Sequence, residues 1–431
     1  MIQELLDKVK NNKFTLGVLG LGRVGLPFAA TFAHHGIKVL GADINKSHIE
    51  KILSGKAPFK DVHLEDFIKE TVSNKNLIPT TDTSMVIKNS DIIVITVGTP
   101  INNSLQPDYS QLISVLDEIA KQDIKNKLVV MRSTSSPGTL EGLVRNTLEK
   151  KTGLVEGKDF LLAACPERIV EGKATIELYE VPEMIGGIQE GTNNIVEALF
   201  KKLDSKKEVI RVKPEEAELA KLFTNVYRYV NFALANEFAM IANEYGLDAH
   251  RVIDAANFKY KRGPIPKPGL VGGPCLTKDG YFMSHGMTHS DFILLAWKIN
   301  EHLPYYIVNQ MKKEMANLNL DINKSKIGIL GLTFKSGSDN LIHSPSKKIV
   351  DIVGAFNDKI KVHDPYIPDT YALGETLDGS DVVILATNHP EFKDLEDKIE
   401  KSRCKLLVDC WGMLDPSKFE KVKYIGFGRV V

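Results

Sequence analysis

Little in this 431-residue chain is present in excess, and what it lacks excludes whole classes of protein. Cysteine is scarce. The four, Cys165, Cys275, Cys404 and Cys410, show no CxxC spacing. A disulfide scaffold and a structural zinc site are therefore not expected, and no metal is assigned. So few thiols point to a reducing compartment. Neither sign of charge prevails, with 55 Lys plus Arg against 55 Asp plus Glu. No bulk field draws the chain to nucleic acid or to an anionic membrane. No apolar run approaches the ~20 residues that span a bilayer. The opening stretch MIQELLDKVKNN mixes acids with bases, lacks the layout of a cleaved signal, and reads as a short amphipathic helix. The cytoplasm is the expected address. What remains is an ordinary soluble composition, 43% hydrophobic and 26% charged, with length for two or three cores.

The first feature to stand out is a glycine pattern. FTLGVLGLG has the apolar continuity of a buried strand and runs into Gly20-Leu21-Gly22-Arg23-Val24-Gly25, after which a helix is expected through about His35. Strand, G-x-G-x-x-G and helix in that order make a dinucleotide site. The glycines permit a tight turn, close approach of the pyrophosphate and close helix packing, while helix amides meet the phosphates. Gly20, Gly22, Arg23, Val24 and Gly25 are thus candidate NAD contacts. The next strand, KVLGADI, ends in Asp43. This lies roughly 20 residues past the loop, where a carboxylate accepts ribose hydroxyls and repels a 2′-phosphate, so NAD is favoured over NADP. Asp43 could instead merely cap the helix that follows.

DIIVITVGTP and KLVVMRSTSSPGT continue the sheet as runs apolar on both faces, as parallel strands between helices require. Ligands bind beyond the carboxyl ends of such strands, which places Thr99 and Thr134 near the cofactor. LLAACPERIVEG brings Glu167 and Arg168 to a similar edge, where the two could also be a solvated pair.

The middle of the chain is helical. From about Pro214 to Tyr245 apolar residues recur at helical spacing, with Pro214-Glu215-Glu216 as the start and Gly246 as the stop. Lys221, Asn225 and Arg228, at i, i+4 and i+7, share one face. A solvated stripe would look the same, but asparagine is a poor helix former and tilts the reading towards function. The Pro-, Gly- and Lys-rich loop from about Asn257 to Cys275 is long enough to wrap a ligand. It ends in Gly272-Gly273-Pro274-Cys275 ahead of a helix expected over Thr277–Gly286. Paired glycines let backbone approach a ligand, Gly272 among them, and a thiol at a helix N-terminus tends towards thiolate. Against this, Cys275 could be a small buried hydrophobe.

The last third repeats the first. KIGILGLTFK echoes TLGVLGLGRV, IKVHDPY echoes VLGADIN, and DVVILATNHP echoes DIIVITVGTP, behind a long helix from about Asp291 to Leu318. The expected class is α/β, with two doubly wound Rossmann-like domains joined by a long central helix and a helical middle domain. The boundaries are an NAD-binding domain over 1–210, a central helical domain with the cysteine loop over 211–319, and a second Rossmann-like domain over 320–431, which the resemblance given below makes the nucleotide-sugar-binding one. Gly328, Gly331 and Gly337 do not fall in the dinucleotide pattern. The second unit is therefore expected to take a nucleotide-like ligand other than NAD.

Taken in order, GLGRVG, VGTP, STSSPGT, CPERIVEG, the Lys221–Asn225 helix, GGPCLTKD and GLTFKSGSDNLIHSPS resemble the UDP-glucose/GDP-mannose dehydrogenase family over nearly the whole chain. CPER in place of NPEF resembles the branch acting on UDP-N-acetylhexosamines, the UDP-N-acetyl-D-mannosamine 6-dehydrogenases. The resemblance implies Cys275 as nucleophile, Lys221 as acid–base and oxyanion partner, and Asn225 as a second oxyanion donor. It implies Glu167 and Asp279 for water and protons, and counts Thr134 with the catalytic group. Arg168, Ile169, Arg228, Arg262, Phe334, Lys335 and Arg429 would contact the nucleotide sugar, as would Gly272. Two positions depart from the family. Ile342 stands where an arginine usually reaches towards the cofactor, and GGPCLTKD alters the loop around the thiol while keeping Asp279.

The implied activity is a four-electron, NAD-dependent oxidation of the 6-hydroxymethyl group of UDP-N-acetylmannosamine or UDP-N-acetylglucosamine, of the kind that feeds polysaccharide biosynthesis. UDP-glucose is the competing sugar. A two-electron hydroxyacid dehydrogenase would need no thiol, and a protein that binds NAD and a nucleotide sugar without turnover is a further possibility. A homodimer is expected around Phe223, Val226 and Val230 of the central helix.

Overall fold

The computed structural model describes residues 1–285 and 287–429. It divides into two compact units, Met1–Thr224 with Tyr281–Met287, and Asn225–Gly280 with the chain from Thr288 on.

The first unit is built on eight strands, β1 Thr15–Leu19, β2 Lys38–Ala42, β3 Leu77–Thr80, β4 Ile92–Ile95, β5 Leu128–Met131, β6 Leu161–Ala164, β7 Glu183–Gly187 and β8 Val209–Arg211. Their order across the sheet is β3-β2-β1-β4-β5-β6-β7-β8. Neighbours run parallel except β6 against β7. β4, β5 and β6 are buried along their whole length, which is why the sequence shows unbroken apolar runs there. Each buried Val, Leu or Ile side chain contributes about 1.5–3 kcal/mol. Phe28 and Phe32 of the helix Gly25–His34 pack against Phe200 on one face. Beneath β5 and β7 lies a buried ion pair, Arg132 Nη1 to Glu183 Oε2 at 3.0 Å. The Arg132 guanidinium stands over the rings of Phe28 and Phe200.

The second unit holds the repeat. Its strands are β9 Ile327–Leu330, β10 Ile360–His363, β11 Val382–Leu385, β12 Leu406–Asp409 and β13 Lys423–Gly426. They form a parallel sheet in the order β10-β9-β11-β12-β13. That is the arrangement of β2-β1-β4-β5-β6, so the echo read from sequence is a repeated topology.

The central helix runs Pro214–Glu244 and crosses the division between the units. Its entry is fixed by the Glu216 carboxylate, which accepts the Lys213 N–H at 2.8 Å. Gly246 follows at φ 67°, a left-handed turn that suits glycine. The helix after Cys275 spans Leu276–Ser284, one residue earlier at its start than expected. Its expected end, Gly286, lies outside the described residues. The long helix Asp291–Asn317 contains Pro304, which is buried. Asn236 and Asn300 form a buried amide chain in the second unit. Asn236 Nδ2 donates to Asn300 Oδ1 at 3.0 Å, and Asn300 Nδ2 donates to the Tyr229 carbonyl at 3.0 Å.

Candidate active site

In the first unit the three glycines do three different things. Gly20 sits at φ 100° against the Thr96 backbone, where a side chain would be strained. A Cβ on Gly25 would stand 1.9 Å from the Gly20 carbonyl oxygen, so only glycine lets the helix start so close to the loop. Gly22 faces open space, as an approach for pyrophosphate requires. The helix that follows has no side-chain cap at Val24, leaving its N-terminus to a ligand. Arg23 pairs with Glu171 at 3.1 Å and lies over the Phe59 ring.

Asp43 directly follows β2 with each oxygen on a backbone amide: Oδ2 accepts the Leu21 N–H at 2.7 Å and Oδ1 the Asn45 N–H at 2.8 Å. The cap of the next helix is Asn45, whose side chain accepts from His48. Asp43 is thus not spent on capping. A carboxylate has about four lone-pair sites, and two remain for ribose hydroxyls. The residues present fit a dinucleotide.

The ends of β4 and β5 are tied together, since the Thr99 hydroxyl donates to the Thr134 carbonyl at 2.7 Å. The loop after Thr134 is held by a residue that sequence reasoning missed, Glu218 of the central helix. Its carboxylate accepts from Gly138 N at 2.7 Å, Leu140 N at 2.9 Å and Ser135 Oγ at 3.0 Å. Burial pushes it up to about 7 despite those donors. Its only sequence signal was an acid one turn before Lys221.

Glu167 is buried at the end of β6, its backbone N–H on the Arg132 carbonyl at 3.3 Å. Burial pushes its carboxyl up to about 7, against the pull of Lys221 and Arg132. It also accepts the N–H of Ile169. Arg168 is half-buried and donates to the Pro182 carbonyl, so it is not a merely solvated partner of Glu167. Lys221 and Asn225 are both buried, which removes the solvated-stripe reading for these two. Arg228 is exposed.

In the second unit the cysteine loop is seated without side chains. A Cβ on Gly272 would lie 2.4 Å from the His343 carbonyl oxygen, and one on Gly273, at φ 98°, 2.6 Å from the Phe334 ring. The Gly273 N–H donates to the His343 carbonyl at 3.1 Å. Cys275 follows, and its carbonyl accepts the Lys278 and Asp279 amides of the new helix. Cys275 is exposed whereas Cys165, Cys404 and Cys410 are buried, so the buried-hydrophobe reading is wrong for it. Burial pushes the other three thiols up, Cys404 to about 12. Asp279, one turn on, is 0% exposed and its Oδ2 accepts the Asn225 amide at 2.6 Å.

Phe334 and Lys335 follow β9. Arg262 is exposed and stands over Tyr260. Arg429, with Arg251, Lys267 and Trp411, lines a cavity of about 560 Å³, and its Nε–H finds no acceptor among the described residues. Arg168 and Ile169 belong to the first unit, and Arg228, Arg262, Gly272, Phe334, Lys335 and Arg429 to the second. Ile342 is 55% exposed.

Three family models match this chain in sequence order. They are the UDP-glucose/GDP-mannose dehydrogenase family's NAD binding domain over residues 14–204, its central domain over 215–302 and its UDP binding domain over 328–416. The chain belongs to the UDP-glucose/GDP-mannose dehydrogenase family. It is an NAD-dependent nucleotide-sugar dehydrogenase, with NAD held in the first unit. The chain is 36% identical to the UDP-N-acetyl-D-mannosamine dehydrogenase of Pyrococcus horikoshii, over 91% of its length and 94% of that protein. The solved structure of the UDP-D-ManNAc dehydrogenase from that organism aligns with a TM-score of 0.91 at 34% identity, covering 96% of this chain and 99% of the other. The UDP-N-acetyl-D-glucosamine 6-dehydrogenase of Pseudomonas aeruginosa is 31% identical over 88% of this chain and 92% of its own. No helix among the described residues is long and apolar enough to cross a membrane.

Asp43 generates a direct prediction. Asp43→Ala should raise KM for NAD and narrow the NAD-to-NADP preference by about tenfold or more, since one tenfold step is about 1.4 kcal/mol of lost discrimination. Steady-state kinetics with both cofactors checks it, and equal use of NADP by the unaltered enzyme would overturn the ribose assignment.

Proposed function

We propose that this enzyme oxidises the 6-hydroxymethyl group of a UDP-N-acetylhexosamine to the carboxylate in two steps through Cys275. The observation that carries the reading is the exposed Cys275 at a helix N-terminus, behind two glycines that leave no room for a Cβ. NAD, when bound, supplies the hydride acceptor for each oxidation. The substrate alcohol loses a hydride and a proton to give the aldehyde. The Cys275 thiolate adds to it, and loss of a second hydride from that thiohemiacetal leaves a thioester. Water cleaves the thioester, releasing the acid and the thiol. Lys221 and Asn225, on successive turns of one helix, are the oxyanion donors, worth roughly 3 kcal/mol each in other enzymes. Glu167 is the base for water, with Asp279 and Thr134 completing the catalytic group.

NAD rests on Gly20, Gly22, Arg23, Val24, Gly25, Asp43, Thr99 and Thr134. The nucleotide sugar is assigned to Arg168, Ile169, Arg228, Arg262, Gly272, Phe334, Lys335 and Arg429. An N-acetylated sugar is supported by the P. horikoshii UDP-N-acetyl-D-mannosamine dehydrogenase and the P. aeruginosa UDP-N-acetyl-D-glucosamine 6-dehydrogenase as relatives. The three-domain division at 210 and 319 and a cytoplasmic address belong to the same reading.

The homodimer is proposed through the central helix, with one revision of its seam. Val226 is buried within the chain, whereas Phe223, Tyr227, Leu234 and Ile241 are exposed at spacings of three to four residues or their multiples. That is the pattern of an apolar stripe awaiting a partner helix. Light scattering at micromolar concentration should give about twice the 47.9 kDa chain mass, and Leu234→Glu should shift it towards one. A monomeric unaltered protein would remove the dimer.

With purified enzyme and UDP-N-acetylmannosamine, each acid formed should yield two NADH, and kcat/KM should exceed that for UDP-glucose by about tenfold or more. Cys275→Ser should lose acid formation by at least about a thousandfold while still binding NAD, because an alcohol is a far poorer nucleophile at neutral pH. Full activity in that variant would end the covalent route, and preference for UDP-glucose would end the N-acetyl assignment alone.

The Glu167 role carries its own signature. With the carboxyl raised to about 7, its base form is lost as pH falls through that value. Acid formation should fall on the acidic side of about pH 7, and Glu167→Gln should lower the plateau and abolish that limb. A pH–rate profile of the variant that keeps the limb assigns it elsewhere.

A further inference from the structure

The second unit repeats the nucleotide-binding architecture but treats its acid differently. Asp364, at the end of β10, stands where Asp43 stands at the end of β2. Its Oδ2 accepts the Leu332 N–H at 2.7 Å and its Oδ1 the Tyr366 N–H at 2.9 Å, matching the two bonds that Asp43 makes to Leu21 and Asn45. The difference is the cover. Asp43 is half-buried, whereas Asp364 lies under His389, with Nε2 3.1 Å from Oδ2 and both side chains wholly out of solvent.

The hydrogen bonds fix the state of that imidazole. The Gly337 N–H can only donate, so the Nδ1 that accepts it at 3.1 Å carries no proton. The ring hydrogen is on Nε2, shared between Asp364 Oδ2 and Thr333 Oγ1, each at 3.1 Å. Thr333 in turn donates its hydroxyl hydrogen to the Lys335 carbonyl at 3.1 Å. Tyr366 closes the outer face of the ring, its hydroxyl on Glu391 at 2.6 Å. Both ring nitrogens are thus committed to the turn 332–337, which carries Phe334 and Lys335.

We propose that His389, clasped to Asp364, is a positioning residue that presets the Phe334–Lys335 turn for the UDP moiety of the substrate. This rests on reading Phe334 and Lys335 as nucleotide contacts. The turn is bounded by Gly331 and Gly337, both at positive φ, and such a segment left to itself has much backbone freedom to lose on binding. A clasp that spends this entropy during folding removes it from the binding step. It also seals the acid that would otherwise meet a ribose, so the second unit does not read a second dinucleotide as the first does. Because the Phe334 ring lies against Gly273, the clasp fixes one wall of the cysteine loop as well.

Calorimetric titration of the full-length protein with UDP, and separately with NAD, tests this. His389→Ala should weaken UDP by about tenfold or more, as loss of close placement does, and leave NAD within about twofold. Thr333→Val, which removes only the bridging hydroxyl, should weaken UDP in the same direction by less. His389→Asn, whose amide oxygen can take the Gly337 N–H, should recover part of the loss. Nitrogen NMR of histidine-labelled protein should show the His389 ring as the Nε2–H tautomer, a readout that stands even where His389→Ala does not fold. Lys335→Ala separates the layers. If it leaves UDP affinity unchanged, the nucleotide-contact reading fails. If it weakens UDP while folded His389→Ala and Thr333→Val bind UDP as the unaltered protein does, the clasp fails. An Nδ1–H tautomer, or equal loss of UDP and NAD in both variants, also overturns it.

Discussion

The second unit depends on a contact made by two missing side chains. Gly272 and Gly273 let the cysteine loop lie directly on the His343 carbonyl and the Phe334 ring, at separations no Cβ would tolerate. With that contact made, the chain has one way forward: the Gly273 carbonyl receives the Thr277 hydroxyl at 2.8 Å, and the helix Leu276–Ser284 begins. Trp297 then locks the first turn by donating its ring N–H to the Thr277 carbonyl and packing on Gly280. A thiol on a mobile loop would sample many positions. Here it leaves a helix end whose position is set by glycine on one side and tryptophan on the other.

Duplication explains how one chain holds two nucleotides without confusing them. Both units use a β-strand, a glycine turn and an acid closing the turn, because those parts are what a parallel sheet offers at its carboxyl edge. In the first unit Gly22 faces open space and Asp43 keeps lone pairs to spare. In the second, the acid is consumed inside the fold and the turn sets the Phe334 ring against Gly273. The same topology therefore yields a dinucleotide reader once and a different surface the second time. Such reuse is why fold alone does not assign a ligand.

What the sequence displayed was local. G-x-G-x-x-G, the acid at Asp43 and the paired glycines before Cys275 are short-range patterns, and their geometry follows from a few consecutive dihedral angles. The partners were not visible, because Glu218 meets Gly138 and Leu140 across about eighty positions, and Arg132 meets Glu183 across fifty-one. Nothing in KLVVMRSTSS says that its arginine is buried against two phenylalanine rings. Strands also escaped where periodicity was weak: β3 contains Pro79 and β8 has only three residues. On the central helix the apolar spacing was plain, but which residues face inward was not. Val226 turned in and Tyr227 out, a choice made by packing rather than by propensity.

Asn225 shows how such a partner can decide chemistry. An amide side chain presents an oxygen at one end and two N–H groups at the other, and an oxyanion donor is useful only with the nitrogen turned the right way. Asp279 makes that choice. Its carboxylate is buried, accepts the Asn225 Nδ2 at 2.6 Å, and offers nothing that the amide oxygen could accept. One N–H is spent in the bond and the second is held in a known direction. Asp279 lies one helical turn beyond Cys275, so a single hydrogen bond ties the helix behind the thiol to Asn225 of the central helix. The other oxygen, Oδ1, is buried without a hydrogen-bond donor, and the Lys278 ammonium stands 3.8 Å from it. Burying a carboxylate oxygen in that way is costly to the fold. Under the covalent route proposed above such a cost is expected, because there orientation and a dry environment count for more than local stability.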